Sequence, residues 1–127
     1  ENAGINSWDA LKNKEKGRRT LADELDTVPL TLPALMRAQK LQKRAAGRGL
    51  GTQDKAQAEQ NLAQAEQAWA EASPKNAQER AGELLFAAAD ALRSAGVDAE
   101  EALSFASKRF SERLKQNEIE SNGEETE

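Results

Sequence analysis

The 127 residues include no cysteine, no histidine and no tyrosine. Without cysteine there are no disulfides, thiolate metal ligands or thiol nucleophiles; without histidine there is no imidazole acid–base chemistry and no ordinary zinc site. Any metal would have to sit among carboxylates, as Mg²⁺ does. Two valines and two isoleucines are too few for pleated sheets, while Ala, Leu, Glu, Gln, Lys and Arg dominate, so an all-α fold is expected. No apolar run approaches the ~18 residues of a membrane span, and no basic-then-apolar stretch reads as a signal segment. Cytoplasmic residence and no membrane partner are the resulting expectations. Because the sequence opens on Glu1 rather than methionine, a processed or truncated piece of a longer protein is expected.

Large apolar side chains are also scarce. Of the hydrophobic residues, 24 are alanine and only 24 are larger. Alanine seams let helix backbones approach closely but bury little area per residue, so a lone bundle would be marginal. A homodimer with a shared core is expected. The net charge of −4 is concentrated at one end: Gln116 to Glu127 holds five Glu and no base, leaving 18 bases against 17 acids in residues 1–115. A near-neutral body offers no electrostatic case for DNA or RNA.

The periodicity predicts a bundle of about five helices. Residues 1–7 read as a loose segment, 8–116 as the helical domain and 117–127 as a disordered acidic tail. Ser7 can cap a short helix from Trp8 to about Lys16, and Gly17 to Leu32 reads as connector. Pro33 suits the first position of a second helix ending near Ala46, before Gly47, Gly49 and Gly51. A third helix runs from about Thr52 to Ala72 with the stripe Ala58, Leu62, Ala65 and Trp69. A fourth, from about Lys75 to Ala95, carries Ala77, Ala81, Leu84, Ala88 and Leu92 and ends at Gly96. Asp98 and Glu101 form a capping-box-like start to a fifth, with Leu103, Ala106, Phe110 and Leu114 as its core stripe. Trp8 and Trp69 read as core or interface anchors.

Two stretches are distinctive: Val28 through Ala46, containing Leu32-Pro33-Ala34-Leu35-Met36-Arg37-Ala38-Gln39-Lys40-Leu41-Gln42-Lys43-Arg44, and Gly82-Glu83-Leu84-Leu85-Phe86-Ala87 through Arg93, followed by Val97 to Leu103 and Lys108-Arg109-Phe110. Together with Trp8, Leu11, Lys12 and Glu15-Lys16, they resemble the MazG family of nucleoside triphosphate pyrophosphohydrolases over roughly residues 8–115. The resemblance implies a dimerising all-α fold. In active members it also implies Mg²⁺-dependent hydrolysis of a nucleoside triphosphate to the monophosphate and pyrophosphate. The family holds its metal with a Glu-Glu-x-x-Glu run and a later Glu-Glu-x-x-Asp run, carboxylates that project toward one side of each helix.

Aligned on Leu62, the first run falls on Gln60, Asn61 and Gln64; aligned on Gly82, the second falls on Glu79, Arg80 and Glu83. Three amides and an arginine thus stand where carboxylates would face a divalent cation. At an effective dielectric near 20, each unit charge about 4 Å away is worth on the order of 4 kcal/mol per unit charge of the ion. Mg²⁺ binding, through Glu79 and Glu83, is therefore expected to be weak or absent, with Arg80 paired to Glu83 in the cation's place.

Phosphate-binding positions carried over from the family fall on Lys40, Arg109 and Arg113, with arginine replacing lysine at 109. Ser107 replaces an asparagine, and Leu50-Gly51-Thr52 replaces Phe-Asp-Trp. A nucleoside triphosphate or another anion is the expected ligand. The function expected is that of a pyrophosphohydrolase-family domain with impaired catalysis; the alternative is a non-catalytic dimerisation, scaffold or nucleotide-sensing module.

Overall fold

The computed structural model describes residues 20–126, with side chains through Gly123. Five helices follow one another, with no strand among the described residues: α1 (Leu21–Asp26), α2 (Ala34–Gly47), α3 (Lys55–Ala70), α4 (Ala77–Ser94) and α5 (Ala99–Thr126). The all-α fold expected from composition is what the chain adopts. The expected helix at 8–16, its Trp8, and the loose segment at 1–7 lie outside the described residues. The stretch read as connector contains α1, which Thr20 starts through a reciprocal capping box: its Oγ accepts from the N–H of Asp23, whose carboxylate accepts from the N–H of Thr20.

Pro33 is the residue before α2 rather than its first helical residue, with an extended ψ of 142°. Its carbonyl still accepts the first helical bond, from Arg37 at 2.8 Å. Asp54 caps α3 by accepting from the N–H of Gln57 at 2.8 Å. Gly96 ends α4 at φ +79°, in the left-handed region where a Cβ is strained. Asp98 then opens α5, its Oδ1 accepting from the N–H of Glu101 at 3.0 Å.

α4 is the central helix, lying along α3 and against α2, while α5 touches α2 and α4 only near its start. Ala58, Ala89, Ala91 and Ala99 are buried at these crossings, with Val28 under the α1–α2 turn. Small side chains leave backbone polar groups within reach of the neighbouring helix, and α2 exploits this. Gln42 donates to the carbonyl of Phe86 at 2.9 Å, and Gln39 donates to Ala89 at 2.8 Å and Val97 at 3.1 Å. The Gln39 carbonyl accepts from the N–H of Ala99 at 3.0 Å. One glutamine therefore joins α2 to α4 and to the first turn of α5.

Two expectations change. The stripe read as the core of α5 is exposed within this chain, with Phe110 at 56% exposure. These residues lack neighbours because α5 leaves the bundle after its first turn. The acidic segment after Gln116, expected to lack structure, continues α5 as helix to Thr126, supported on its surface by a Gln116–Glu120 bond one turn apart.

Candidate functional site

The α3–α4 crossing leaves a pocket of about 460 Å³. Glu79, Glu83, Ala87 and Asp90 line it from α4, a recurrence of four, four and three residues that keeps them on one helical face. Phe86 and Gly82 also border it, and Asn61 faces it from α3. Thr52 closes the side formed by the α2–α3 loop, its hydroxyl accepting from the Asn61 amide at 3.3 Å.

Asp90 is buried, at 8% exposure, and its carboxylate is held by Arg93, whose Nε donates to Oδ1 at 2.8 Å. The same guanidinium donates to the carbonyl of Thr52 at 3.3 Å. Arg93 thus ties the loop to α4 beside the pocket.

Of the six positions expected to surround a metal, Asn61, Glu79 and Glu83 border this pocket, while Gln60 and Gln64 are exposed on α3 and do not line it. Arg80 departs from the expected pairing with Glu83. Its guanidinium donates at 2.8 Å to the carbonyl of Ala68, one of the orphan carbonyls in the last turn of α3. A helix C-terminus concentrates negative potential, which accounts for the choice.

On the other side of Arg93 the surface turns basic. A cleft of about 410 Å³ between α2 and the α4–α5 turn is lined by Lys40, Lys43, Gln39, Arg93 and Asp98 among others. Lys40 and Lys43 also border a cleft of about 370 Å³ against α1, with Glu24, Arg44 and Arg48. There Arg48 makes a forked pair with Glu24 at 3.0 and 3.2 Å, which holds the Glu24 carboxyl below its ordinary range and the Arg48 guanidinium above its own. Arg44 donates to the hydroxyl of Thr27 at 2.9 Å.

The expected grouping of Lys40 with Arg109 and Arg113 is not assembled in this way. Those two arginines lie on the exposed stretch of α5, and Arg113 sits over the Phe110 ring at 6.0 Å. Asp90, Arg93 and Lys43 escaped the sequence reading. Asp90 and Arg93 were findable, as an acid seven residues beyond Glu83 on the same face and a cation three residues after it.

Relatives resolve what this arrangement belongs to. The chain is 37% identical over 115 residues, 86% of its length, to the nucleoside triphosphate pyrophosphohydrolase of Escherichia coli strain K12, and equally to that of strain O157:H7. It is 32% identical over 112 residues, 87% of its length, to the nucleoside triphosphate pyrophosphohydrolase/pyrophosphatase MazG of Thermotoga maritima. The chain belongs to the MazG family. No protein-family profile matches it, and it spans 44% of the length of these relatives.

Resemblance to MazG implies Mg²⁺, and the pocket can be tested for it. Glu79 and Glu83 provide two carboxylates one turn apart, Asp90 is engaged by a guanidinium, and Asn61 and Thr52 are neutral. Among the described residues, no group of three or more acidic side chains forms a ready-made metal cage. With Glu79 and Glu83 as its carboxylates, a divalent cation here would depend on waters and substrate phosphates for its remaining oxygens. No described helix is long and apolar enough to cross a membrane.

Proposed function

We propose that this MazG domain binds a nucleoside triphosphate while hydrolysing it poorly or not at all. Pyrophosphohydrolysis requires an attacking water made nucleophilic and a polyphosphate whose developing charge is neutralised. The pocket between α3 and α4 meets the first need badly. Asn61 faces Glu79 and Glu83 where a further carboxylate would be required, and that single juxtaposition carries the reading. The residual work of this chain is binding: a mostly apolar pocket with Phe86 at its edge takes the nucleoside end, and cations at Lys40 take the phosphates. Arg109 and Arg113 complete the expected phosphate set only if α5 from a second copy brings them over the pocket.

A homodimer is part of the proposal. Leu85, Phe86, Leu103, Phe110 and Leu114 are all at least half exposed or nearly so, an apolar surface that one chain leaves uncovered and a second copy would bury. Cytoplasmic residence, where nucleoside triphosphates are abundant, accords with the same reading. The second reading, a scaffold or nucleotide-sensing module, is favoured by the Asp90–Arg93 pair, which withdraws a carboxylate from chemistry.

Pyrophosphate release from a panel of nucleoside triphosphates with Mg²⁺ or Mn²⁺ tests the proposal. The unmodified chain is expected to bind nucleotide with little turnover. Asn61→Glu, which adds a carboxylate facing Glu79 and Glu83, is expected to raise it. Robust turnover by the unmodified chain would overturn the reading.

A further inference from the structure

One cation tied to the acidic pocket, through the lining residue Asp90, belongs neither to α5 nor to the surface of α2. Arg93 is half-buried on α4, and two of its donors are committed, Nε to Asp90 and one NH2 proton to Thr52. Its remaining N–H groups bond to none of the described residues, and the side chain forms part of the wall of the 410 Å³ cleft that also contains Lys40 and Lys43. An exposed lysine loses side-chain entropy when it grips an anion; a guanidinium already held by a carboxylate and a carbonyl has lost most of it. The acid in the same cleft, Asp98, caps α5 through the N–H of Glu101, so its charge sits against a helix N-terminus.

The neighbouring cleft against α1 is the rival. Its guanidiniums are committed differently: Arg48 forks onto Glu24, and Arg44 reaches Thr27. It also stands apart from the α3–α4 pocket, whereas Arg93 borders both regions through its pair with Asp90.

We propose that the cleft between α2 and the α4–α5 turn is a polyphosphate site in which Lys40 and Lys43 supply mobile charge, Arg93 supplies a fixed guanidinium, and Asp90 is its positioning residue. This deepens the nucleotide reading above and rests on it for the biological ligand. A ligand spanning both regions would place its phosphates against Arg93 and its nucleoside in the pocket lined by Asn61 and Phe86.

Calorimetric titration of inorganic pyrophosphate into the full chain at low ionic strength tests this. The unmodified chain is expected to bind, with affinity falling as salt rises. Lys43→Ala and Arg93→Lys are each expected to weaken binding about tenfold, while Lys75→Ala, exposed in the turn before α4 and at the opposite end of that helix from Arg93, stays within about twofold. Asp90→Ala is expected to weaken binding similarly and Asp90→Asn to restore it, because the amide oxygen can still accept from Nε of Arg93. A purely structural acid would not show that rescue. Lys43, being exposed, carries the test should the Arg93 variant fail to fold. No binding by the unmodified chain, or unchanged binding in Lys43→Ala and Arg93→Lys, would overturn the proposal. Pyrophosphate binding without nucleotide binding would uphold this site and sink the nucleotide reading; nucleotide binding indifferent to both variants would do the reverse.

Discussion

Gln39 reaches across fifty residues of sequence to donate to the carbonyl of Ala89 at 2.8 Å, while its own carbonyl accepts from Ala99. A long polar side chain thus does at this crossing what an apolar one does in most bundles, and it does so because the opposing residues are alanines. Replacing Gln39 with Ala removes both functions. The expected loss is about 2–3 kcal/mol, from several net hydrogen bonds, read by urea denaturation. Gln39→Glu, which keeps an acceptor for Ala99 but cannot donate to Ala89, is expected to be no better.

The buried pair of Asp90 and Arg93 sets up a double-mutant cycle. Arg93→Ala leaves a buried carboxylate unpaired and is expected to cost about 3 kcal/mol. Adding Asp90→Asn should recover part of that loss, giving a coupling of about 1–2 kcal/mol by chemical denaturation.

Acid acts on the α1–α2 contact. Glu24 is held below its ordinary range by Arg48, so its contribution is present above the unfolded-state value and is lost as pH falls through the lowered folded value. Hydrogen exchange of the α1 amides is expected to accelerate below the ordinary glutamate range. Glu24→Gln should remove that acid dependence.

Two glycines separate backbone strain from packing. Nothing lies within 4 Å of a Cβ built at Gly96 or Gly82, but Gly96 has φ +79° and Gly82 is helical. Gly96→Ala is expected to destabilise by about 1–2 kcal/mol, and Gly82→Ala to stabilise by about 0.5–1 kcal/mol. Thermal unfolding midpoints should therefore move in opposite directions.

Arg80 gives a test of the site's remodelling. Arg80→Ala loses the bond to the Ala68 carbonyl and is expected to cost about 1 kcal/mol. Arg80→Glu is expected to cost more, since a carboxylate would face the last carbonyls of α3. Restoring a family-like acid at this position therefore carries a stability cost that Asn61→Glu does not, measurable by denaturation of the two variants.

Much of this was written locally. Asp54, Asp98 and Gly96 announce helix ends through their own side chains or lack of one, and the stripe at Ala58, Leu62 and Ala65 marks the inner face of α3 before any packing is known. Thr20 and Asp23 also spelled a capping box, but the prolines nearby masked α1. The tail after Gln116 reads as acidic and unstructured on composition alone; it is helical because α5 runs on through it without a breaker until Gly123. The residue types at Gln60, Asn61, Gln64 and Arg80 were equally legible, since charge is a property of residue type.

Direction was not legible. Arg80 and Glu83 are three apart, a spacing that permits an ion pair, yet Arg80 turns to α3 because an orphan carbonyl waits there. Arg109 and Arg113 share a face of α5, but only the departure of that helix from the bundle decides that they stand apart from Lys40. The sequence by itself determined an all-helical MazG domain and its caps. Tertiary structure decided which charges meet, because a side chain's partner depends on the crossing of helices far apart in sequence, and that brought Asp90, Arg93 and Thr52 together.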